Sequence, residues 1–332
     1  MSAGGNPERL LALCAEAVDR LGLDLSGRTV VTEAATGAYA VTPLLAAMAG
    51  ATEVRALSRD SRYGTARDAE FAISKLAGRA GVSVRFTRTK NAELFEGADV
   101  VTNSGHLRPL DAELVSWLRP GSAISLMYEP WELRPGEVDL DACRERGIHV
   151  AGPNEHHPDI GVFAYSGVMA VKQLLEAGIP ILGSRIFLLC DNVFAGDIKQ
   201  GLTALGAKVT VSKDLEGPPP GRLDAVLVAL SPRPTPVLGV NDLRQLGREH
   251  PGAVIVQFWG DIDRGASAAS GIAVWPPEAP AAGHMGILPS AVGADPIVAL
   301  QTGGLKVGEL LTAGRRITAA EEKLLLRVGT IA

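Results

Sequence analysis

The stretch that decides the fold is RIFLLCDNVFAGDIKQGLTALGAKVTV, residues 185–211. RIFLLC is an uninterrupted apolar run, which is typical of a strand covered by helices on both faces. The next segment has Ile198, Leu202 and Leu205 at helical spacing and reaches Gly206, a frequent helix-ending residue, before KVTV returns as a strand. Strand, turn, helix and strand form the first βαβ unit of a doubly wound nucleotide-binding fold, whose ligand occupies the first turn.

The glycine pattern expected in that turn, G-x-G-x-x-G/A, is altered. Cys190, Asn192 and Ala195 stand in its three small-residue positions, and Asp191 adds a negative charge where a phosphate would lie. Cβ atoms hinder close approach of the backbone to a pyrophosphate, whereas the Asn192 amide could donate to a phosphate or a ribose. If a dinucleotide binds, the predicted contact residues are Asp191, Asn192, Phe194, Ala195, Ser212 and Lys213.

Length and composition are those of a soluble protein with two domains. The chain has 332 residues, of which 46% are hydrophobic and 21% are charged. Its net charge of -5 argues against nucleic acids and membrane surfaces as partners, since both attract a basic face. We find no apolar run of about 20 residues and no secretory signal, and the Ala- and Gly-rich composition suggests a bacterial gene. The cysteines are far apart, which fits free thiols in a reducing compartment, so we expect a cytoplasmic protein.

Strands alternate with helices along the whole chain, which predicts parallel sheets. Helical spacing is clear at residues 7–21, 66–80 and 163–177, and a first complete sheet domain ends near Gly152. More strands and helices follow the bridge PNEHHPDIG, and the ending ITAAEEKLLLRVGTIA predicts a last helix. The predicted fold class is α/β, with two Rossmann-like doubly wound parallel-sheet domains and an interdomain cleft.

From about Asp139 to Leu311, five segments follow one another in a recognisable order: VDLDACRERGIHVAG, VFAYSGVMAVKQLLEAG, LDAVLVALSPRPTP, PGAVIVQFWG and GHMG. In this order they resemble the hinge passage, interdomain helix, strand with Thr-Pro loop, strand, and Pro-His-x-Gly segment of the two-domain D-2-hydroxyacid dehydrogenases, the formate and glycerate dehydrogenase group. The resemblance implies a homodimer. It also implies a first domain of residues 1–155 plus 286–332, completed by the C-terminal helices, and a dinucleotide-binding domain of residues 156–285.

The resemblance further implies an NAD(P)-linked oxidoreductase acting on a small oxo- or hydroxy-acid. In that family a His moves the hydroxyl proton, a Glu orients the His, and an Arg clamps the substrate carboxylate; His284 of GHMG matches the His. Trp259 stands in the Arg position, and Glu278, six residues before His284, is the remaining acid. Arg233 in SPRPTP and Arg108 in TNSGHLRP are therefore the predicted clamps, because a guanidinium binds a carboxylate through two hydrogen bonds.

Polar side chains also follow four successive predicted strands of the first domain. The segments EAATGAYAVTP, SRDSRYGT, TNSGHLRP and MYEPWE each begin where a buried strand ends. Ligands of parallel sheets gather at the carboxyl ends of strands, and a helix N-terminus in the first segment favours an anion or a nucleotide fragment. The predicted substrate-cleft residues, including one from the bridge NEHHPD, are Glu33, Thr36, Tyr39, Asp60, Asn103, Ser104, Tyr128, Glu129 and Glu155.

The sequence leaves more than one cofactor and more than one function open. Lys213 follows the second strand of the βαβ unit and could meet a 2′-phosphate, which favours NADP slightly over NAD. EAATGA followed by a strand and Asp60 also resembles the first motifs of S-adenosylmethionine-dependent methyltransferases, so a transferase that binds a nucleotide or S-adenosylmethionine is one alternative. A cofactor-free binding protein or pseudoenzyme is another, because the glycine turn is altered. We predict no metal site, since the adjacent histidines of NEHHPD point apart on an extended chain and no distant ligand set completes a shell.

Overall fold

The computed structural model describes residues 6–215 and 219–329, and the contacts among them separate two compact units. Unit 1 contains the described residues of Met1–Val162 and Gly293–Ala332, and unit 2 contains those of Phe163–Val292. Each unit has its own sheet of mainly parallel strands with helices packed around it. The prediction of two Rossmann-like α/β domains is therefore confirmed.

The sheet of unit 1 is doubly wound. Its strands are β1 (Thr29–Ala34), β2 (Glu53–Ser58), β3 (Arg85–Thr87), β4 (Val100–Thr102), β5 (Ala123–Ser125), β6 (His149–Pro153) and, from the C-terminal part of the chain, β12 (Leu325–Arg327). They lie in the order β12-β6-β5-β4-β1-β2-β3, and all neighbours are parallel except β12 and β6. Without β12 this is the Rossmann order 3-2-1-4-5-6, so the strand order reverses between β1 and β4.

The prediction of one helix over the last sixteen residues is wrong. A capping box between Thr318 and Glu321 starts a helix, but the helix stops after Glu322 and the chain continues as β12. Leu325 pairs with Pro153 of β6, whose outer edge would otherwise expose unpaired backbone groups. Tertiary pairing has therefore overridden the helical preference of this segment. The final three residues of the predicted helix lie outside the described part of the chain.

Helices cover both faces of the unit 1 sheet. They are α1 (Pro7–Leu21), α2 (Val41–Met48), α3 (Ala66–Ala80), α4 (Ala92–Phe95), α5 (Ala112–Trp117), α6 (Leu140–Arg146), α11 (Asp295–Leu311) and α12 (Ala319–Glu322). Successive residues of β1 face the two layers, since Val30 packs with α1, α2 and α11 while Val31 packs with α4, α5 and α6. The long helix α11 is buried along almost its whole length. It lies directly on the sheet because a Cβ added to Gly308 would be 2.4 Å from Val100 Cγ1.

Unit 2 contains the βαβ segment that decides the fold. Its strands are β7 (Arg185–Leu189), β8 (Lys208–Ser212), β9 (Ala225–Ala229), β10 (Val254–Trp259) and β11 (Ala273–Trp275), and its helices are α7 (Tyr165–Glu176), α8 (Ala195–Ala204), α9 (Val240–Glu249) and α10 (Arg264–Ser270). The parallel strands lie in the order β11-β10-β9-β7-β8, which reverses between β7 and β9. Ile186 and Leu188 face α7 and α8, while Phe187 and Leu189 face α9 and α10. Both faces of β7 are buried, as its apolar run predicts.

Within the described ranges, no helix has both the length and the apolar character that crossing a bilayer requires.

Candidate functional site

The predicted substrate residues of unit 1 include one beside each of four neighbouring strands. Glu33 lies near the end of β1, Asn103 directly follows β4, Glu129 follows β5, and Glu155 follows β6. Because these strands are adjacent and parallel, their carboxyl ends meet along one edge of the sheet. Ligands of doubly wound sheets bind at this edge, beside the strands where the order reverses. We call this group of strand ends the unit 1 edge.

Glu33 connects the end of β1 to the loop after β4. Its Oε2 accepts the backbone N–H of His106 at 2.8 Å, and its Oε1 accepts no hydrogen bond from the described residues. A Cβ added to Gly105 would lie 3.3 Å from Glu33 Oε2 and 3.7 Å from Arg108 Nη2. The Glu33 carboxylate and the Arg108 guanidinium therefore border the same glycine, although the two residues are far apart in the chain, so the fold brings them together.

Glu129 and Glu155 hold each other through backbone groups. Glu129 Oε1 accepts the N–H of Glu155 at 2.8 Å, Glu155 Oε1 accepts the N–H of Glu129 at 3.2 Å, and Glu129 Oε2 accepts Trp131 Nε1 at 2.7 Å. The two residues are 4% and 7% exposed. Burial, together with the charges of Glu132 and Glu129, raises the pKa of Glu155 well above its ordinary value. Glu155 Oε2 has no hydrogen-bond partner in the described structure.

The pKa of Tyr39 is affected by burial and by the surrounding glutamates. It belongs to the 3-10 turn Gly37–Ala40 that follows β1. Burial, and then the charges of Glu33, Glu132 and Glu155, raise the pKa of Tyr39 to about 12. The phenol therefore stays neutral near pH 7 and is able to donate a hydrogen bond to a ligand.

Asn103, Tyr128 and Arg108 form a second cluster at the unit 1 edge. Asn103 Oδ1 accepts the N–H of Met127 at 2.8 Å, and its buried Nδ2 approaches the Tyr128 hydroxyl without the geometry of an ordinary hydrogen bond. The Tyr128 hydroxyl donates to Glu137, and Arg108 Nη1 donates to the same carboxylate at 2.5 Å. Burial and the Glu137 hydrogen bond raise the pKa of Tyr128, an effect that the nearby Asn103 amide partly opposes. Arg108 is thus paired within the protein.

Three other predicted cleft residues stabilise local structure. Ser104 Oγ lies 2.6 Å from Thr102 Oγ1 in a buried pair of hydroxyls. Thr36 Oγ1 donates to the backbone oxygen of Tyr63 at 3.2 Å. Asp60 Oδ1 accepts the first N–H of α3 at 2.8 Å and so satisfies the start of that helix. These contacts leave each side chain with a partner inside unit 1.

Sequence reasoning missed Glu137, the carboxylate that pairs with Arg108 and Tyr128. It stands in the turn segment LRPGEVD, which has no apolar periodicity and follows no strand directly. No local signal could have found it, because its partners are 29 and 9 residues away in the chain. The hydrogen bonds of Tyr128 and Arg108 outweigh the effect of burial and lower the pKa of Glu137, so it stays a carboxylate.

Asp191 and Arg233 meet where the strand order of unit 2 reverses. Asp191, in the turn after β7, accepts the N–H of Ser231 at 2.8 Å and the Ser231 hydroxyl at 3.0 Å. Its other carboxylate oxygen lies 3.3 Å from Arg233 Nη2. Burial alone would raise the pKa of Asp191, but the hydrogen bonds from Ser231 and Arg233 lower it. Two predicted site residues are therefore a charged pair across the ends of β7 and β9.

Asn192 closes the turn that lacks the expected glycines. Its Nδ2 donates to the backbone oxygen of Ala229 at 2.7 Å, and its Oδ1 accepts the N–H of Phe194 at 3.2 Å. These bonds connect the turn to the end of β9 and set the direction in which α8 begins at Ala195. Further along, Ser212 Oγ lies 3.3 Å from the Asp214 carboxylate, and Lys213 is exposed.

Trp259, which takes the position of the family's Arg, helps to hold the loop of His284. Its ring packs edge-on against Phe194 at 5.6 Å between ring centroids, and its Nε1 donates to the backbone oxygen of Gly283 at 3.1 Å. Both carboxylate oxygens of Asp261 lie 3.1 Å from the N–H of Gly283, whose φ is 73°. His284 is exposed, and its imidazole makes no hydrogen bond within the described structure. The loop is thus fixed while the imidazole stays available.

The residues of NEHHPD take separate roles. Glu155 pairs with Glu129, and His157 Nδ1 accepts the N–H of Asp159 at 3.2 Å. Across the described chain, no three side chains of His, Cys, Asp or Glu are placed to hold a metal ion.

Comparisons with known proteins identify the fold. No protein-family model and no curated protein sequence matches the chain. Among solved structures, it is similar to the A chain of dipicolinate synthase from Bacillus subtilis, with a TM-score of 0.55, 14% identity, and coverage of 89% of this chain and 100% of that chain. The corresponding subunit from Bacillus halodurans has a TM-score of 0.54 and 12% identity over 87% of this chain and 99% of that chain.

A D-isomer specific 2-hydroxyacid dehydrogenase from Lactobacillus delbrueckii ssp. bulgaricus, solved in its NAD complex, is also similar. Its TM-score is 0.50, with 12% identity over 90% of this chain and all of that chain. The protein therefore has the D-2-hydroxyacid dehydrogenase-like fold, as its sequence motifs suggested. Nothing in the comparisons supports the S-adenosylmethionine alternative, and Asp60, its candidate ribose ligand, holds the start of α3.

Proposed function

Starting from this fold, we propose that the protein is an NAD(P)-linked oxidoreductase that acts on a small oxo- or hydroxy-acid. The observation that carries the proposal is the arrangement at the reversal of strand order in unit 2. There β7 and β9 end side by side, next to the first turn of α8, with the Asp191–Arg233 pair beside that turn. This is the position at which doubly wound sheets bind dinucleotides.

The residues around this turn fit a pyrophosphate. The first N–H groups of α8 have no partner within the helix, and helix N-termini favour anions. A Cβ added to Gly196 would meet no atom within 4 Å, so the backbone is open to a ligand there. Arg233 balances the charge of Asp191, and more than half of its side chain is exposed, so it can also reach a phosphate. Side chains would thus replace some of the contacts that glycines usually permit.

Lys213 supports a preference for the phosphorylated cofactor. It follows the last residue of β8, which is where dinucleotide folds distinguish the ribose hydroxyl of NAD from the phosphate of NADP. Its ammonium group is exposed and would attract a 2′-phosphate. We therefore expect NADPH to bind more tightly than NADH.

In the proposed reaction His284 holds the proton that is exchanged with the substrate oxygen. An imidazole suits this role because it titrates near neutral pH, and the loop contacts of Gly283 fix its position. A bound nicotinamide would supply or accept the hydride.

Titration calorimetry with NADPH and NADH tests the proposal on the intact protein. We expect binding with a micromolar Kd, and we expect Arg233→Gln to weaken it by about tenfold, or roughly 1.4 kcal/mol. Arg222→Gln is the matched control, because Arg222 is also exposed and paired with an aspartate but precedes β9 at the opposite edge of the sheet. If neither dinucleotide binds, the redox proposal is wrong and a cofactor-free protein is the better account.

A further inference from the structure

A cleft in unit 1 lies away from the unit 1 edge. It has a volume of about 800 Å³, and its walls come from the end of α11, residues 315–318, α12, β12 and the start of β6. His149, the first residue of β6, borders the cleft, which is therefore at the amino end of that strand. Sites for small organic molecules have volumes of roughly 300–1,000 Å³, so the cleft can hold such a molecule. We call it the C-terminal cleft.

The pairing of β12 with β6 builds one wall of the C-terminal cleft. Arg327 pairs with Ala151, and directly paired residues of antiparallel strands share a face of the sheet. On that face Ala151 packs with Leu310 of α11 in a common core cluster. The C-terminal strand therefore places a guanidinium group beside the end of α11.

The C-terminal cleft combines guanidinium groups with an apolar wall. The side chains of both kinds that border it are Arg315, Arg316, Arg327, Leu310, Leu311 and Ile317. Leu310 belongs to the core, and Leu311 and Ile317 pack against the same core cluster, so the apolar wall is fixed. A surface of this kind suits an anion that also carries an apolar group.

Two of the guanidinium groups are held in place by glutamates of α12. Arg315 donates to the two carboxylate oxygens of Glu321 at 3.0 and 2.5 Å. Arg327 donates to the two carboxylate oxygens of Glu322 at 3.1 and 3.4 Å. The side chains of Arg315 and Arg327 remain 51% and 46% exposed. The ion pairs therefore fix the direction of both arginines and leave about half of each side chain open to a ligand.

Arg316 differs from these two arginines. Its side chain is exposed and has no hydrogen bond or ion pair with any residue in the described ranges. Three guanidinium groups therefore stand against the two carboxylates of Glu321 and Glu322, in a chain whose net charge is -5. Positive charge that the protein does not balance favours an anionic ligand.

We propose that the C-terminal cleft binds a phosphate monoester that carries an apolar or aromatic group. Near neutral pH such a phosphate has close to two negative charges and three terminal oxygens, so it can accept hydrogen bonds from more than one guanidinium group. A carboxylate has two oxygens, which a single guanidinium group can engage. Leu310, Leu311 and Ile317 would contact the apolar part of the ligand. This site is separate from the proposed dinucleotide site, and the inference does not depend on the redox function.

Titration calorimetry of the full-length protein with three probes tests the proposal. Phenyl phosphate has both features, inorganic phosphate lacks the ring, and benzoate joins a ring to a carboxylate. We expect phenyl phosphate to bind with a Kd of about 0.1–1 mM, and about tenfold or more tightly than either of the other probes. Hydrogen exchange measured by mass spectrometry should show that phenyl phosphate slows the exchange of peptides from residues 310–327.

Two variants separate the contributions of charge and apolar contact. Arg316→Gln should weaken the binding of phenyl phosphate by about tenfold, because it removes the unbalanced charge. Ile317→Ala should weaken the binding of phenyl phosphate by about threefold and leave that of inorganic phosphate unchanged. Arg67→Gln is the matched control and should change neither affinity. Arg67 is also exposed and without an ion pair to a described residue, but it lies on α3, which joins β2 to β3 at the opposite end of the strand order.

Thermal unfolding of each variant verifies that the fold is kept. The proposal is overturned if phenyl phosphate does not bind at about 10 mM, if benzoate or inorganic phosphate binds as tightly, or if Arg316→Gln keeps the wild-type affinity. Binding that is lost in Arg233→Gln instead would belong to the turn after β7 and would also overturn the proposal. Arg316→Gln should not change the affinity for NADPH. Failure to bind NADPH would therefore reject the redox function alone, and failure to bind phenyl phosphate would reject this inference alone.

Discussion

Glu155 illustrates how a single residue joins stability to the chemistry of the site. Its carboxyl group is 7% exposed and faces two other glutamates. It accepts a hydrogen bond from the backbone N–H of Glu129 and none from a cation among the described residues. A charged group in such a place costs free energy, so burial favours the protonated form of the Glu155 carboxyl group. The arrangement is costly for folding at neutral pH.

Glu155→Gln should make the stability of unit 1 less dependent on pH. The pKa of Glu155 is raised in the folded state. Its contribution to the free energy of unfolding is therefore present below the unfolded-state pKa of about 4.5 and is lost as pH rises through the folded-state pKa. Each unit of that rise corresponds to about 1.4 kcal/mol. Urea unfolding between roughly pH 5 and pH 8 should therefore show the free energy of unfolding of the variant increasing relative to that of the wild type as pH rises. Parallel profiles for the two proteins would contradict the buried, protonated carboxyl group.

His284→Gln tests the residue to which we assign proton transfer. Loss of a positioned acid–base group should lower turnover of NADPH with 2-oxo acids by about 10²- to 10⁴-fold. Affinity for NADPH should stay the same, because the loop is held by Trp259 and Asp261 rather than by the imidazole. His149→Gln, at an exposed histidine of β6, is the control. Unchanged turnover in His284→Gln would remove this residue from the mechanism.

Among the elements, the packing of α7 against α8 determines the position of the turn between β7 and α8. The two helices touch through glycines, since a Cβ added to Gly201 would lie 2.7 Å from Gly167 Cα. This close packing fixes α8, whose first turn follows Asn192 and the altered glycine motif. The turn has Cys190 and Asn192 in place of the first two glycines of the motif, but α8 keeps a glycine where it contacts α7.

Gly201→Ala should destabilise unit 2 by about 1–3 kcal/mol, because the added methyl group overlaps the backbone of α7. Gly78→Ala in α3 is the control for helix propensity, as its Cβ would meet no atom within 4 Å. That substitution should be neutral or stabilising by up to about 1 kcal/mol. Chemical denaturation followed by circular dichroism measures both changes, and equal effects of the two substitutions would rule out close helix packing.

At the scale of the whole molecule, unit 1 depends on segments from both ends of the chain. Lys306 of α11 donates to both carboxylate oxygens of Glu309, at 2.7 and 2.8 Å, and to the backbone oxygen of Gly22 at 2.8 Å. Glu309 in turn accepts the N–H of Asp24 at 2.9 Å. This buried ion pair fastens the C-terminal helix to the loop after α1, so unit 1 cannot complete its core from either segment alone.

Lys306→Met should therefore destabilise unit 1 and leave unit 2 unaffected. Removing one partner leaves Glu309 buried without its cation, which typically costs about 3–5 kcal/mol. Hydrogen exchange in increasing denaturant, measured by mass spectrometry, should show peptides of unit 1 losing protection earlier than in the wild type. Lys172→Met, which breaks an exposed pair with Glu176 on α7, should change stability by about 0.5 kcal/mol or less. A uniform loss of protection in both units would contradict two separately stabilised cores.

Much of the fold and part of the candidate site could be predicted from local patterns. Alternating strands and helices predicted two doubly wound sheets, since apolar runs and helical spacing are properties of short segments. Glu33, Asn103 and Glu129 were predicted as site residues because each stands at or just after a buried strand, and Glu155 because it belongs to the bridge NEHHPD between the two domains. Their assembly at one edge follows from the order of the strands.

Tertiary structure decided what each of these residues does. The sequence by itself determined the fold class, the altered turn at Asp191 and Asn192, and the positions of polar strand ends, because these depend on residue type and spacing. Glu137, which pairs with Arg108, the charged pair of Asp191 with Arg233, and the unused oxygens of Glu33 and Glu155 emerged from the folded chain alone. The physical reason is that hydrogen bonding, burial and charge act through space, between residues that local sequence patterns do not connect.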